Sequence, residues 1–164
     1  MKSIEDVNIR KIERSDNFEL AKLIREILTE FGINKPGTVF TDPTTDRLFE
    51  LFELKNAEYW VAELHGKIVG GCGIFPTKGL APDCTELVKL YVDQSSRGIG
   101  LGRKLMEITL KESERLNYGS VYLETLPELA SAVGLYESLG FKMLKKPLGE
   151  SGHFACNLWM LKEN

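Results

Sequence analysis

The sequence predicts an α/β fold in which a mixed sheet is flanked by helices. Two observations carry this reading. Strand-like and helix-like runs follow the order β-α-α-β-β-β-α-β-α-β-β, so an early hairpin precedes strand–helix–strand units. In addition, the apolar run Thr85–Val92 passes through the glycine-rich stretch Arg97-Gly98-Ile99-Gly100-Leu101-Gly102 into a helix-like run from Gly102 to Leu116.

The elements follow in order. Asn8–Glu13 reads as a first strand of imperfect alternation. Ser15 or Asp16 caps a helix whose Leu20, Leu23, Ile24, Ile27, Leu28 and Phe31 recur at helical spacing, and Gly32 ends it. Asn34-Lys35-Pro36-Gly37 is a loop. Asp42-Pro43 opens a short helix with Leu48, Phe49 and Phe52 on its apolar side, since proline is tolerated in a first turn. Glu58–Leu64 and Lys67–Phe75 form a hairpin joined at His65-Gly66, and Pro76–Asp83 is a loop. The helix after the glycine turn carries Leu101, Leu105, Ile108 and Leu116 along one side. Ser120–Glu124 is a strand with Val121–Leu123 buried. A short helix runs to Leu139, with Gly140 as its C-terminal cap. Phe141–Leu144 and Phe154–Leu161 complete the sheet.

A chain of 164 residues fits one domain with a single core, here residues 1–164. Its 43% hydrophobic and 27% charged content is that of a globular protein, and no repeat or low-complexity tract appears. A net charge of −3 gives no electrostatic case for nucleic acid. The apolar runs are too short to span a bilayer, and the start of the chain lacks the apolar stretch of a secretory signal, so no membrane partner is expected. Cys72, Cys84 and Cys156 are isolated, which argues against zinc or a disulfide framework and for reduced thiols in a cytoplasmic protein. No metal is expected.

A glycine turn between strand and helix leaves backbone N–H groups free and aimed with the helix dipole, which suits phosphate. The triphosphate loop needs Lys-Ser or Lys-Thr after its last glycine, whereas Gly102 is followed by Arg103-Lys104-Leu105. The dinucleotide fingerprint needs G-x-G-x-x-G, but Gly98, Gly100 and Gly102 alternate and residue 105 is Leu. The form that fits is R-x-x-G-x-G, as Arg97-x-x-Gly100-x-Gly102.

With this turn, the strand Glu86–Val92 and the segment Ser131-Ala132-Val133-Gly134-Leu135-Tyr136-Glu137-Ser138-Leu139-Gly140-Phe141, the sequence resembles the GNAT superfamily of N-acetyltransferases. That segment is similar to the family's second signature, N-A-x-x-L-Y-x-x-x-G-F, with Ser131 standing where the family often has Asn. The resemblance spans Thr85–Leu144. It implies a GNAT-type, mostly antiparallel sheet and acetyl-CoA as cosubstrate. It implies that the turn Arg97, Gly98, Ile99, Gly100, Leu101 and Gly102 takes the pyrophosphate. Arg103 and Lys104 either add charge there or are solvated surface. Backbone groups of Leu90, Tyr91 and Val92 would pair with the pantetheine arm, Leu90 lying nearest the acetyl carbonyl, and Ser131 would flank the arm. A homodimer across the last strands rests on the resemblance alone.

The chemistry implied is attack of a neutral amine on a thioester, assisted by a base, a donor to the carbonyl oxygen and a donor to the leaving sulfur. Tyr136 is the candidate donor to sulfur, against the alternative of a core tyrosine between Leu135 and Leu139. Glu86 is the candidate base: in a regular strand it shares a face with Val88, Leu90 and Val92, whose apolar surroundings raise a carboxylate pKa. A structural ion pair is the alternative, and Glu124 is a second candidate. His65 reads as a solvated turn residue, and His153 as a packing or capping residue that can also face the acceptor.

The acceptor is expected against Phe31–Thr45, Thr77–Asp83 and Pro147–His153, which carry Lys35, Asp42, Asp46, Lys78, Asp83 and Glu150. With no recruiting domain evident, a small-molecule amine is favoured over a peptide or protein. A non-enzymatic acyl-CoA sensor and a protein binding another nucleotide through the same turn are the competing readings.

Overall fold

The computed structural model describes residues 1–164, the side chain of Ala130 excepted. One seven-stranded sheet holds the chain together. Its strands are β1 (Val7–Lys11), β2 (Glu58–Leu64), β3 (Lys67–Phe75), β4 (Cys84–Val92), β5 (Ser120–Thr125), β6 (Lys142–Met143) and β7 (Leu158–Glu163), in the spatial order β1-β2-β3-β4-β5-β7-β6. Every pairing is antiparallel except β4 with β5. The sheet is therefore mixed and mostly antiparallel.

Helices cover both faces. On one side α1 (Asn17–Glu30) and the short α2 (Leu48–Leu51) bury Leu20, Ile24, Ile27 and Leu48 against Tyr59, Val61 and Tyr91. On the other, α3 (Leu101–Arg115) and α4 (Val133–Ser138) bury Leu101, Leu105, Met106 and Tyr136 against Ala62, Val69, Leu87 and Val121. Helix α1 follows the spacing read from sequence; on α3 the expected Leu101 and Leu105 are buried, but the buried side continues through Met106, Thr109 and Leu110 rather than Ile108 and Leu116. Among the described residues no helix is long and apolar enough to cross a bilayer.

Local signals behave as their chemistry requires in several places. His65 and Gly66 both have positive φ, the conformation of a tight hairpin turn between β2 and β3. Gly140 ends α4 at φ +100°, and Phe141 N–H closes the cap on the Tyr136 carbonyl at 3.1 Å. Asp16 precedes α1 but does not cap it. Its buried carboxylate accepts from Glu13 N–H at 2.7 Å and from the Arg10 guanidinium at 2.8 and 2.9 Å, tying β1 to the start of the helix.

Three expectations are corrected. The helix at Asp42-Pro43 is a 3₁₀ turn, Pro43–Arg47, followed by a single α turn, because Asp42 bonds to Thr44 N–H and tightens the entry. The last strand begins at Leu158 rather than Phe154. Phe154 is 82% exposed, and the chain before β7 is held by side-chain contacts of Ser151 and His153, described below, rather than by strand pairing. The first strand ends at Lys11, two residues early.

The fourth correction concerns β4. Gly73 of β3 pairs with Val88 and Gly71 with Tyr91, so two residues of β4 stand opposite one of β3. This is a β-bulge, with Lys89 at φ +54°. The bulge resets the alternation. Glu86, Val88, Lys89 and Tyr91 lie toward α1 and α2, whereas Leu90 and Val92 pack toward α3. Glu86 therefore does not share a face with Leu90 and Val92. The fully buried Tyr59 holds the bulge, its hydroxyl donating to the Lys89 carbonyl at 2.8 Å. Tyr59 fits because β3 has glycine beneath it: a Cβ on Gly71 would come within 2.5 Å of the Tyr59 hydroxyl.

Replacing Tyr59 by Phe strands the buried Lys89 carbonyl without a donor. The Tyr59→Phe variant should lose about 1–3 kcal/mol of stability in urea denaturation. Unchanged stability would show that the bulge stands without this bond.

Candidate active site

Strand β4 pairs with β5 only as far as Glu86, opposite Tyr122. Beyond that point the two strands part, and β5 continues along β7. The end of β4 thus presents an edge without a strand partner, and a groove of about 460 Å³ opens along it. The groove runs from the glycine turn, past Leu90, Tyr91 and Val92, to Ser131 and Tyr136.

The floor of the groove is made of backbone. Asp93 caps a 3₁₀ turn, Gln94–Ser96, and Gly98 and Gly100 then take φ of +81° and +83° before α3 begins at Leu101. Among the described residues, the amides of Gly98, Ile99, Gly100, Leu101, Gly102 and Arg103 have no acceptor in the protein. Successive unpaired N–H groups at the start of a fifteen-residue helix form a cradle for an anion. A Cβ on Gly102 would meet nothing closer than Leu135 Cδ2 at 3.7 Å, so the floor there is open space.

The structure sorts the predicted groove residues. Gly98, Gly100, Leu101, Gly102 and Arg103 line it, as do Leu90, Tyr91, Val92 and Ser131. The Ile99 side chain does not; it packs against the core under α3. Arg97 lines the groove with its charge engaged: its guanidinium grips both Glu30 oxygens at 2.6 and 3.0 Å, its Nε donates to the Val92 carbonyl at 3.1 Å, and it lies over the Phe31 ring. Arg103 donates to Ser138 at 2.7 Å and sits 3.5 Å from Glu107.

At its inner end the groove meets a narrower cavity of about 80 Å³, with Leu90, Tyr91, Leu129 and Tyr136 common to both. Tyr136 is 8% exposed, its ring packs edge-on to Phe141, and its hydroxyl has no hydrogen-bond partner among the described residues. Burial pushes the phenol pKa upward.

Glu86 lies on the far side of this cavity, 3% exposed. Burial raises its pKa to about 7, opposed by the Thr77 hydroxyl, which donates to Oε1 at 2.6 Å. A second cavity, about 240 Å³, continues outward from Glu86 between Asp42, Thr44, Glu150, Ser151 and His153. His153 Nε2 is 3.1 Å from Asp42 Oδ2, and this bond holds the Asp42 carboxyl well below the usual range. Glu124 accepts from the Tyr122 hydroxyl at 2.7 Å and from the Ser151 hydroxyl. It fastens the segment after residue 147 to β5. Of the other charges expected here, Asp46 pairs with Arg25 and Lys35 with Glu128, away from the cavity.

Lys89 was not singled out from the sequence. Its side chain is 8% exposed and lines both inner cavities. The signal was a charged residue inside the apolar run Leu87–Val92, but its direction depends on the bulge.

A sheet that splits beside a helix preceded by an unpaired glycine turn forms a site for an extended ligand with an anion at one end. The chain belongs to the acetyltransferase (GNAT) family, whose model matches residues 21–141. It is 36% identical over 156 residues to the uncharacterized N-acetyltransferase YjgM of Escherichia coli K12, covering 94% of this chain and 93% of that one. Its fold is similar to a GNAT-family acetyltransferase of Staphylococcus aureus, with TM-score 0.82, 24% identity and coverage of 96% and 98%. It is also similar to the PaiA N-acetyltransferase of Thermoplasma acidophilum solved with coenzyme A, with TM-score 0.70, 14% identity and coverage of 96% and 99%. The protein is thus an N-acetyltransferase of the GNAT class.

Glu86 binds its proton more tightly in the folded chain than in the unfolded one. Its contribution to stability is fully present below about pH 4.5 and is lost as the pH rises through about 7. Denaturation of wild type and Glu86→Gln at pH 4.5 and 8 should show wild type losing about 3 kcal/mol relative to the variant over that interval. Parallel pH profiles would mean that Glu86 is solvated.

Proposed function

We propose that this N-acetyltransferase acetylates a primary amine on a small molecule, with Glu86 as base and Tyr136 as donor to the leaving sulfur. The supporting observation is the continuity of the site. Unpaired amides at one end of the groove, an open strand edge along it and a free tyrosine hydroxyl at the other end lie in the order of a phosphate, an amide-bearing arm and a thioester.

Acetyl-CoA supplies a thioester whose acyl carbon takes the amine nitrogen as the C–S bond breaks. The amides of residues 98–103 hold the diphosphate, and the main chain of Leu90, Tyr91 and Val92 holds the arm. An acceptor amine arrives as an ammonium, since an alkyl amine in water keeps its proton up to about pH 10.4, and it must lose that proton before it can attack. Glu86 is suited to take the proton, directly or through water, because its pKa of about 7 leaves it substantially ionised at neutral pH. Burial makes Tyr136 a poorer acid than an ordinary phenol, so its contribution is a hydrogen bond to sulfur rather than complete proton transfer. The modest cavities on either side of Glu86, the outer one lined by the bonded Asp42 and His153, suit a small acceptor rather than a protein surface.

Three measurements test this. In an amine-library screen read by thiol release, Tyr136→Phe should lower kcat roughly 100-fold without weakening CoA binding. Wild-type kcat/KM should rise with pH through about 7, and Glu86→Gln should lack that limb. Gly102→Ala should fold without loss of stability, because its Cβ meets no close neighbour and alanine suits a helix, yet bind CoA at least tenfold more weakly by calorimetry. CoA binding without turnover on any amine would instead make the protein a cofactor sensor.

A further inference from the structure

Lys89 is a charged group that stands without a partner in the inner site. Its ammonium makes no hydrogen bond or ion pair among the described residues, although the side chain is more than nine-tenths buried and faces the cavities on either side of Glu86. The nearby carboxylates are engaged elsewhere. Asp42 Oδ1 accepts from the Thr44 hydroxyl at 2.7 Å and from its amide at 2.9 Å, and Oδ2 meets His153. Glu86 Oε1 accepts from Thr77. Asp42 and Glu86 thus act on Lys89 only through space, and desolvation outweighs them, lowering the lysine pKa.

A buried ammonium without a counter-ion loses its hydration and gains no compensating charge. Here the cost is built in, because the bulge that turns Lys89 inward is held by Tyr59 and by the glycine beneath its ring. Such a group suits an anionic ligand, whose arrival restores the charged form and removes the desolvation penalty. The same cavity carries carboxylates at Asp42 and Glu86, which favour a cation. Positive and negative groups lining one space of about 240 Å³ match a small zwitterion.

We propose that Lys89 binds the carboxylate of the acceptor, so that the substrate class is a free amino acid, with its amine directed toward Glu86. This rests on the acetyl-transfer reading above and narrows its acceptor. Lys89 is a specificity residue and exchanges no proton with the reacting amine.

The test is a matched panel of free α-amino acids, their carboxamides and the corresponding decarboxylated amines, assayed by CoA release with wild type, Lys89→Met and Lys89→Arg. In wild type, the acids should exceed their carboxamides at least tenfold in kcat/KM. Lys89→Met, which removes a charge while keeping the stem, should abolish that preference through KM of the acid and leave KM for acetyl-CoA unchanged. Lys89→Arg should retain part of it. Carboxamides or decarboxylated amines turned over by wild type as well as the acids would overturn the proposal and leave acetyl transfer standing, and this arm needs no variant to fold. A preference that survives in Lys89→Met would also overturn it. Absence of turnover with every amine, despite CoA binding, would overturn the acetyl-transfer reading as well.

Discussion

The hydrogen bond from Tyr59 to the Lys89 carbonyl holds strand β4 out of register with its neighbour, and the site is arranged around that defect. A regular strand would keep Glu86, Leu90 and Val92 on one face. With one extra residue, β4 turns Glu86 and Lys89 toward α1 and α2 while Leu90 and Val92 stay with α3. The carboxylate and the ammonium thus face one cavity, and the strand edge faces another. The bulge depends in turn on a distant sequence feature, the missing side chain at Gly71 that admits the Tyr59 ring.

The parting of β4 from β5 supplies the other half of the geometry. Parallel pairing stops at Glu86 while β5 continues along β7 through Thr125, and the end of β4 is left uncovered. The glycine turn then reverses the chain into α3 with its amides unpaired. These two open backbone surfaces meet near Val92. An extended ligand with an anion at one end and amides along its length matches both at once.

The features legible in sequence were those whose geometry is local. Arg97-x-x-Gly100-x-Gly102 marked the turn because positive φ and unpaired amides follow from residue type and order. Gly140 marked a helix end, and His65-Gly66 a hairpin, for the same reason. Tyr136 was placed by its signature, and it does stand where groove and cavity join. Features set by distant contacts were not legible. The role of Arg97 in gripping Glu30 depends on a residue 67 positions earlier, at the end of α1. The direction of Lys89 depends on Tyr59. Phe154 looked like the start of a strand because it is apolar, yet it is exposed; side-chain contacts of Ser151 with Glu124 and of His153 with Asp42 hold the segment before it in place of strand pairing.

The central claim is that main-chain amides of the glycine turn and of the uncovered end of β4 receive one continuous ligand. Amide hydrogen exchange with and without CoA reads those groups directly. Slowed exchange at residues 98–103 and along Leu90–Val92, with β1 and β2 unaffected, is the result expected. Protection that avoids the glycine turn, or falls only on the face covered by α1, would contradict the account.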